Sequence, residues 1–179
     1  EDVHSYIAKK MSIDKNKLRA FFVKYYEQLK NGALHHKEYC KIIEKEFGVS
    51  GMEAAWLEAQ IKTKELNDEL MEILKNLRKD GYKIGMISNT QTLTAAYRRE
   101  KFKDDFDSLV FSSEVKTAKP DKKIFDISLA GLKLEADECA FFDDSKENVD
   151  AAKSYGFHAF IFRNNKHFKK ELKSLGVKF

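Results

Sequence analysis

The tightest constraint on this chain is a short apolar run, Cys139-Ala140-Phe141-Phe142, that ends abruptly in two adjacent carboxylates, Asp143 and Asp144. A helix-forming segment, Lys146–Tyr155, begins at once. In an open parallel sheet this pattern is a strand delivering polar groups to the carboxyl edge, where such folds hold their ligands. Adjacent acids repel each other unless a cation neutralises them. A hard, oxygen-seeking ion such as Mg2+ is the usual partner for carboxylates displayed this way. The plainer reading is that Asp144 or Ser145 simply caps the helix.

The rest of the chain falls into two grammars. Residues 1–64 read as one helix after another, a small antiparallel bundle with no strand pattern between them. Val3, Tyr6, Ile7 and Met11 share one helical face; Asp14 offers a cap for the next helix, which carries Leu18, Phe21, Phe22, Tyr25 and Leu29 and closes at Gly32. A third helix bears Tyr39, Ile43 and Phe47 up to Gly48, and a fourth surrounds Trp56. The pair His35-His36 lacks a third ligand and reads as a solvated loop rather than a metal site. From residue 65 helices and strands alternate, with strands expected at 82–87, 109–111, 139–142 and 157–162 and a basic helix last. Pro120, the single proline, suits the first turn of the helix holding Ile124 and Phe125. Such alternation implies right-handed crossovers and a Rossmann-like parallel sheet flanked by helices, an α/β core over 65–179 beside the helical block 1–64.

Three of those strands end in polar groups: Ser88-Asn89-Thr90, the loop carrying Lys119, and Asp143-Asp144. In a parallel sheet these ends share one edge, so hydroxyl, ammonium and carboxylates converge. A serine hydroxyl with backbone N–H groups binds phosphate oxygens, a lysine adds a point charge, and a divalent ion on the acids screens charge. Singly, Ser88 reads equally as a helix cap and Lys119 as one surface lysine among many.

Composition narrows the partners. The 33 basic and 29 acidic residues are interspersed, so the net charge of +4 forms no stripe of the kind nucleic acid requires. No apolar run reaches membrane-spanning length and no signal peptide is visible. Cys40 and Cys139 have neither a CxxC nor a histidine partner spacing and read as small core residues of a reduced, cytoplasmic protein.

The three motifs together resemble the haloacid dehalogenase (HAD) superfamily. Ile84-Gly-Met-Ile-Ser88-Asn89-Thr90 is similar to its second motif, Ser112 through Phe125 with Lys119-Pro120 to its third, and Ala140 through Gly156 with Asp143-Asp144 and Asn148 to its fourth. The resemblance covers about residues 66–162 and puts the helical block where subfamily I carries a cap that selects substrates. It implies a phosphohydrolase of small phosphorylated metabolites, working through an aspartyl-phosphate and Mg2+. Asp144 would bind the metal and Asp143 the metal or its water. Lys119 would hold nucleophile and phosphate, Ser88 and the Asn89 N–H would bind phosphate oxygens, and Asn148 would orient the acidic loop.

The family's first motif, an apolar strand ending in Asp-x-Asp, has no counterpart here: Asp2 follows no strand and Asp14 begins a helix. In the family that strand lies mid-sheet, between the strands ending at Ser88 and Asp144. The expectation is therefore that roughly the first twenty residues of the fold precede Glu1, lost by truncation, processing or lack of order, so that 1–179 as it stands has no phosphatase turnover. A pseudoenzyme, a non-catalytic HAD-fold binding module, is the alternative. A metal-independent 2-haloacid dehalogenase would share the fold but carry a Ser-Ser-Asn type sequence at the fourth motif; a response-regulator receiver would place its lysine after its acids. The state expected is monomer or homodimer, since an unpaired strand edge invites pairing.

Overall fold

The computed structural model describes residues 2–63 and 66–178 of the 179. The chain divides into two compact units. The first holds the residues up to Leu66 together with Asn89–Lys101 and Phe111–Thr117; the second holds Asn67–Ser88, Phe102–Val110 and the chain from Ala118 onward.

The first unit begins with α1 (Val3–Met11), α2 (Lys15–Lys30), α3 (His36–Phe47) and α4 (Met52–Thr63). Short polar residues start these helices by taking orphan N–H groups. Asp2 accepts from Ser5 N at 3.0 Å and Asp14 from Lys17 N at 2.8 Å, as the sequence predicts for Asp14. Gly48 closes α3 with φ 66°, the left-handed conformation that a side chain resists. The apolar stripes of all four helices meet in one core of Val3, Ile7, Leu18, Leu29, Tyr39, Ile43, Met52, Trp56 and Ala59. Each large side chain buried there contributes about 1.5–3 kcal/mol relative to exposure. Among the described residues, no helix is long and apolar enough to cross a membrane.

The second unit is the α/β part. After α5 (Asp68–Lys79) comes β1 (Gly85–Ser88), then, past α6 (Thr92–Phe102), β2 (Ser108–Phe111). A single helical turn, α7 (Ser112–Val115), which like nearly all of α6 belongs to the first unit, precedes α8 (Lys122–Leu132), β3 (Ala140–Asp143), α9 (Lys146–Tyr155), β4 (His158–Ile161) and α10 (Asn165–Ser174). The first strand starts three residues later than the expected 82, because Tyr82 N–H still serves the end of α5 by donating to Leu77 O at 3.0 Å. Ile84 is then pinned by Asp107, whose Oδ2 accepts its N–H at 2.8 Å while Asp107 N donates to Ile84 O at 2.7 Å. Pro120 stands ahead of α8 rather than in its first turn; Asp121 is the cap, accepting from Lys123 N at 2.8 Å.

Among the described residues the strands form two separate pairs, β1 with β2 and β3 with β4, instead of one continuous sheet. The β3–β4 pair is parallel, in register from Ala140↔His158 to Asp143↔Ile161. In a continuous sheet flanked by helices β1 and β3 would be buried on both faces. Here Met86, Ile87, Phe141 and Phe142 are only half-buried. Phe142 packs edge-on against Phe168 of α10, ring centroids 4.5 Å apart, and Phe125 of α8 meets Phe141 at 5.5 Å.

Candidate active site

The acidic pair at the end of β3 is split in two by its surroundings. Asp143 is buried and Asp144 exposed, as the pleat of the strand and the turn into α9 require. Asp143 is fully engaged. Its Oδ2 accepts from Lys119 Nζ at 2.5 Å, and its Oδ1 accepts from Ser145 N at 2.8 Å and from Asn148 Nδ2 at 3.0 Å. Burial alone would raise this carboxyl, but the Lys119 ammonium and the two N–H donors outweigh it and hold Asp143 below the ordinary carboxylate range. The helix of α9 thus starts at Ser145 with no side-chain cap; Asp143 takes that N–H instead.

Lys119 reaches this acid from the loop before α8, and its Nζ also donates to Ile87 O in β1 at 2.9 Å. One buried ammonium therefore ties the residue before Ser88 to the carboxylate at the end of β3. Its cation also lies 5.6 Å from the centroid of the Phe141 ring. Of the residues read from sequence, Lys119, Asp143 and Asn148 are bonded to one another around Asp143. Ser88 adjoins the same lysine through its neighbour Ile87, and Asp144 lies one residue on, facing solvent. Asn89 is in the other unit. The Ile87 carbonyl could not be named from sequence, because a main-chain acceptor has no signature in residue type.

These residues do not complete a magnesium site. Among the described residues, no three His, Cys, Asp or Glu side chains gather to hold a metal ion. Three hydrogen bonds take up most of the acceptor capacity of Asp143, so Asp144, which faces solvent, is the more open carboxylate of the pair. Mg2+ requires near-octahedral oxygen ligation, so further ligands are needed.

His36 departs from expectation, whereas Cys40 is the core residue expected but has a histidine beside it. His35 is exposed and caps α3 by accepting from Lys37 N at 3.2 Å, but His36 is wholly buried rather than solvated. Its Nε2 lies 3.2 Å from Cys40 Sγ, one helical turn on, and its ring is 5.0 Å from that of Trp56. Spacing i, i+4 on one helix was the signal for this contact. It is not a catalytic pair. Burial, with a smaller push from His35, lowers His36 to about 4, and burial, helped by Glu53 and Glu44, raises the Cys40 thiol to about 12. Both stay neutral near pH 7, so no thiolate forms.

Comparison with known proteins assigns the class. The haloacid dehalogenase-like hydrolase model matches residues 2–156, and the chain belongs to that family. Among curated proteins it is 33% identical over 92 residues to the phosphorylated carbohydrates phosphatase of Thermotoga maritima, which spans 50% of this chain and 43% of that one. It is 31% identical over 87 residues to the beta-phosphoglucomutase of Bacillus subtilis, 49% of this chain and 38% of that one. The chain thus spans about two-fifths of the length of these curated relatives. In fold it matches a HAD family enzyme of Bacteroides thetaiotaomicron with a TM-score of 0.78 at 20% identity, covering 99% of this chain and 91% of that one. A structure of the same Bacteroides enzyme holds magnesium and inorganic phosphate (TM-score 0.77, 20% identity, 94% and 90% covered).

Proposed function

We propose that this chain serves phosphate-ester hydrolysis of a small phosphorylated metabolite, with the nucleophilic aspartate supplied from outside residues 1–179. The observation that carries the reading is the pair of hydrogen bonds that Lys119 Nζ donates, to Ile87 O at 2.9 Å and to Asp143 Oδ2 at 2.5 Å. It keeps a positive charge buried beside Ser88, where a phosphoryl group approaching the strand ends needs it. In this reading Ser88 and the Asn89 N–H bind phosphate oxygens and Lys119 balances their charge. Asn148 fixes the Asp143 carboxylate, and Asp144 is the carboxylate that a divalent ion meets, its other ligands coming from elsewhere. The phosphoryl group passes in line from the ester oxygen to the external aspartate, the alcohol leaving with a proton from a second external aspartate, which then takes a proton from the water that cleaves the aspartyl-phosphate. The helical segment 1–64 acts as the substrate-selecting cap. The curated relatives named as a phosphatase and a phosphoglucomutase support phosphoryl chemistry.

A second reading has its own support, since the chain is 25% identical over 91 residues to an (S)-2-haloacid dehalogenase of Pseudomonas. The Asp143-Asp144 sequence favours the phosphatase. An assay of the protein as its gene encodes it decides the matter. Hydrolysis of p-nitrophenyl phosphate that needs Mg2+ and is lost in Lys119→Ala is expected. Metal-independent release of halide from 2-chloropropionate, with no phosphatase activity, would sink the proposal. Residues 1–179 alone are expected to show no turnover, and hydrolysis by them that Lys119→Ala abolishes would place the nucleophile within the chain.

A further inference from the structure

We infer that Ser112 is a positioning residue for the anion-binding loop after β1; the inference rests on the phosphate reading above. Ser112 is completely buried at the start of α7, and its hydroxyl meets both polar groups of one backbone residue. Its Oγ accepts from Thr90 N at 2.9 Å and donates to Thr90 O at 3.3 Å. A two-point clamp of this kind fixes the peptide planes on either side of Thr90. The plane on its amino side carries the Asn89 carbonyl together with the Thr90 N–H, so the clamp anchors Asn89 from its carboxyl side, one Cα away from the Asn89 N–H. It also consumes the Thr90 N–H, removing it from the donors an incoming phosphate can use. The loop is held again two residues on, where Thr92 Oγ1 accepts from His36 N at 3.1 Å. Asn89, Thr90, Thr92, Ser112 and His36 all lie in the first compact unit.

The neighbouring serine supplies the contrast. Ser113 is buried as well, but its hydroxyl has no hydrogen-bond partner among the described residues. Deleting either hydroxyl removes the same atom from the same interior, and only one deletion releases Thr90. Position 112 therefore carries an orienting role that burial by itself does not account for. A preorganised donor is worth more to an anion than one that must be ordered on binding.

The test titrates the 179-residue protein with inorganic phosphate and follows the Asn89 amide by 15N–1H NMR. The wild type is expected to show a saturable shift at Asn89. Ser112→Ala should weaken phosphate about tenfold, the scale of one oriented hydrogen bond at about 1.4 kcal/mol. Ser113→Ala should stay within about twofold of wild type, a split that a general loss of packing would not produce. Thr90 amide exchange should accelerate in Ser112→Ala alone. Should that variant not fold, Ser112→Cys, which keeps the volume and a weak acceptor, makes the same comparison. Equal affinities for wild type and the Ser112 variant would overturn the clamp while leaving the phosphate site standing. No shift at Asn89 in the wild type would remove the phosphate site and the clamp with it.

Discussion

Lys119 Nζ sits 2.5 Å from Asp143 Oδ2, and both side chains are more than nine-tenths buried. A pair of charges so placed has lost most of its hydration, and the attraction between them offsets that loss only while both remain. Lys119→Met and Asp143→Asn should each destabilise the protein by about 3–5 kcal/mol, because each strands the other group. The double variant should cost at least about 1 kcal/mol less than the sum of the singles. Urea unfolding of the four proteins measures this. Strict additivity would mean that the two charges are held independently.

His36 should make the fold acid-sensitive. Its folded value, lowered by burial to about 4, lies below the ordinary 6.5, so the unfolded chain takes up a proton first. Its contribution is complete above about pH 6.5 and is lost as pH falls toward 4. The fall from 6.5 to about 4 corresponds to roughly 3 kcal/mol. The groups facing the ring are Cys40 Sγ and the aromatic rings of Tyr39 and Trp56, none of which carries a negative charge to rescue an imidazolium. His36→Phe should flatten the unfolding free energy between pH 6.5 and 4. An unchanged slope would assign the acid sensitivity to another group.

Much of this was legible from residue type. Asp14 and Gly48 mark helix ends through local chemistry, which is why both fall where the sequence puts them. The strand–helix order and the three polar strand ends were likewise local patterns. Two features depended on tertiary surroundings and stayed hidden. His36 looks like a loop residue beside Gly32, yet the cluster of Tyr39, Cys40 and Trp56 encloses it. Asp143 and Asp144 are adjacent acids of one residue type, and the pleat of β3, with Lys119, Ser145 and Asn148 closing on Asp143, separates the engaged acid from the exposed one. The separation of the strands into two pairs was legible too: it falls between the strands ending at Ser88 and Asp144, where the resemblance places a mid-sheet strand that the chain does not match.

Gly32 and Gly48 should respond differently to alanine. Both have left-handed φ, 73° and 66°, a conformation costing a side chain about 1–2 kcal/mol. A Cβ on Gly48 meets open space, whereas one on Gly32 would lie 2.2 Å from the Ser113 carbonyl oxygen. Gly48→Ala should lose only the conformational cost. Gly32→Ala should lose about 2 kcal/mol more, because the atom in the way is main chain and cannot swing aside. Thermal unfolding of the two variants compares them, and equal losses would show that the α2–α3 turn can move off Ser113.

Magnesium should bind this chain weakly and through Asp144. Asp143 spends its oxygens on Lys119, Ser145 and Asn148, so a cation at the end of β3 finds one open carboxylate of the pair. A single anionic ligand leaves most of the ion's shell to water, and a dissociation constant of about 1 mM or weaker is expected. At that affinity 10 mM Mg2+ stabilises the folded chain by at most about 1.4 kcal/mol. Asp144→Asn should abolish the stabilisation. Asp150→Asn, which removes an exposed acid paired with Lys146 on α9, should leave it intact and so control for nonspecific screening. A constant below about 10 µM would mean that the ligands missing from this site are present in the chain after all.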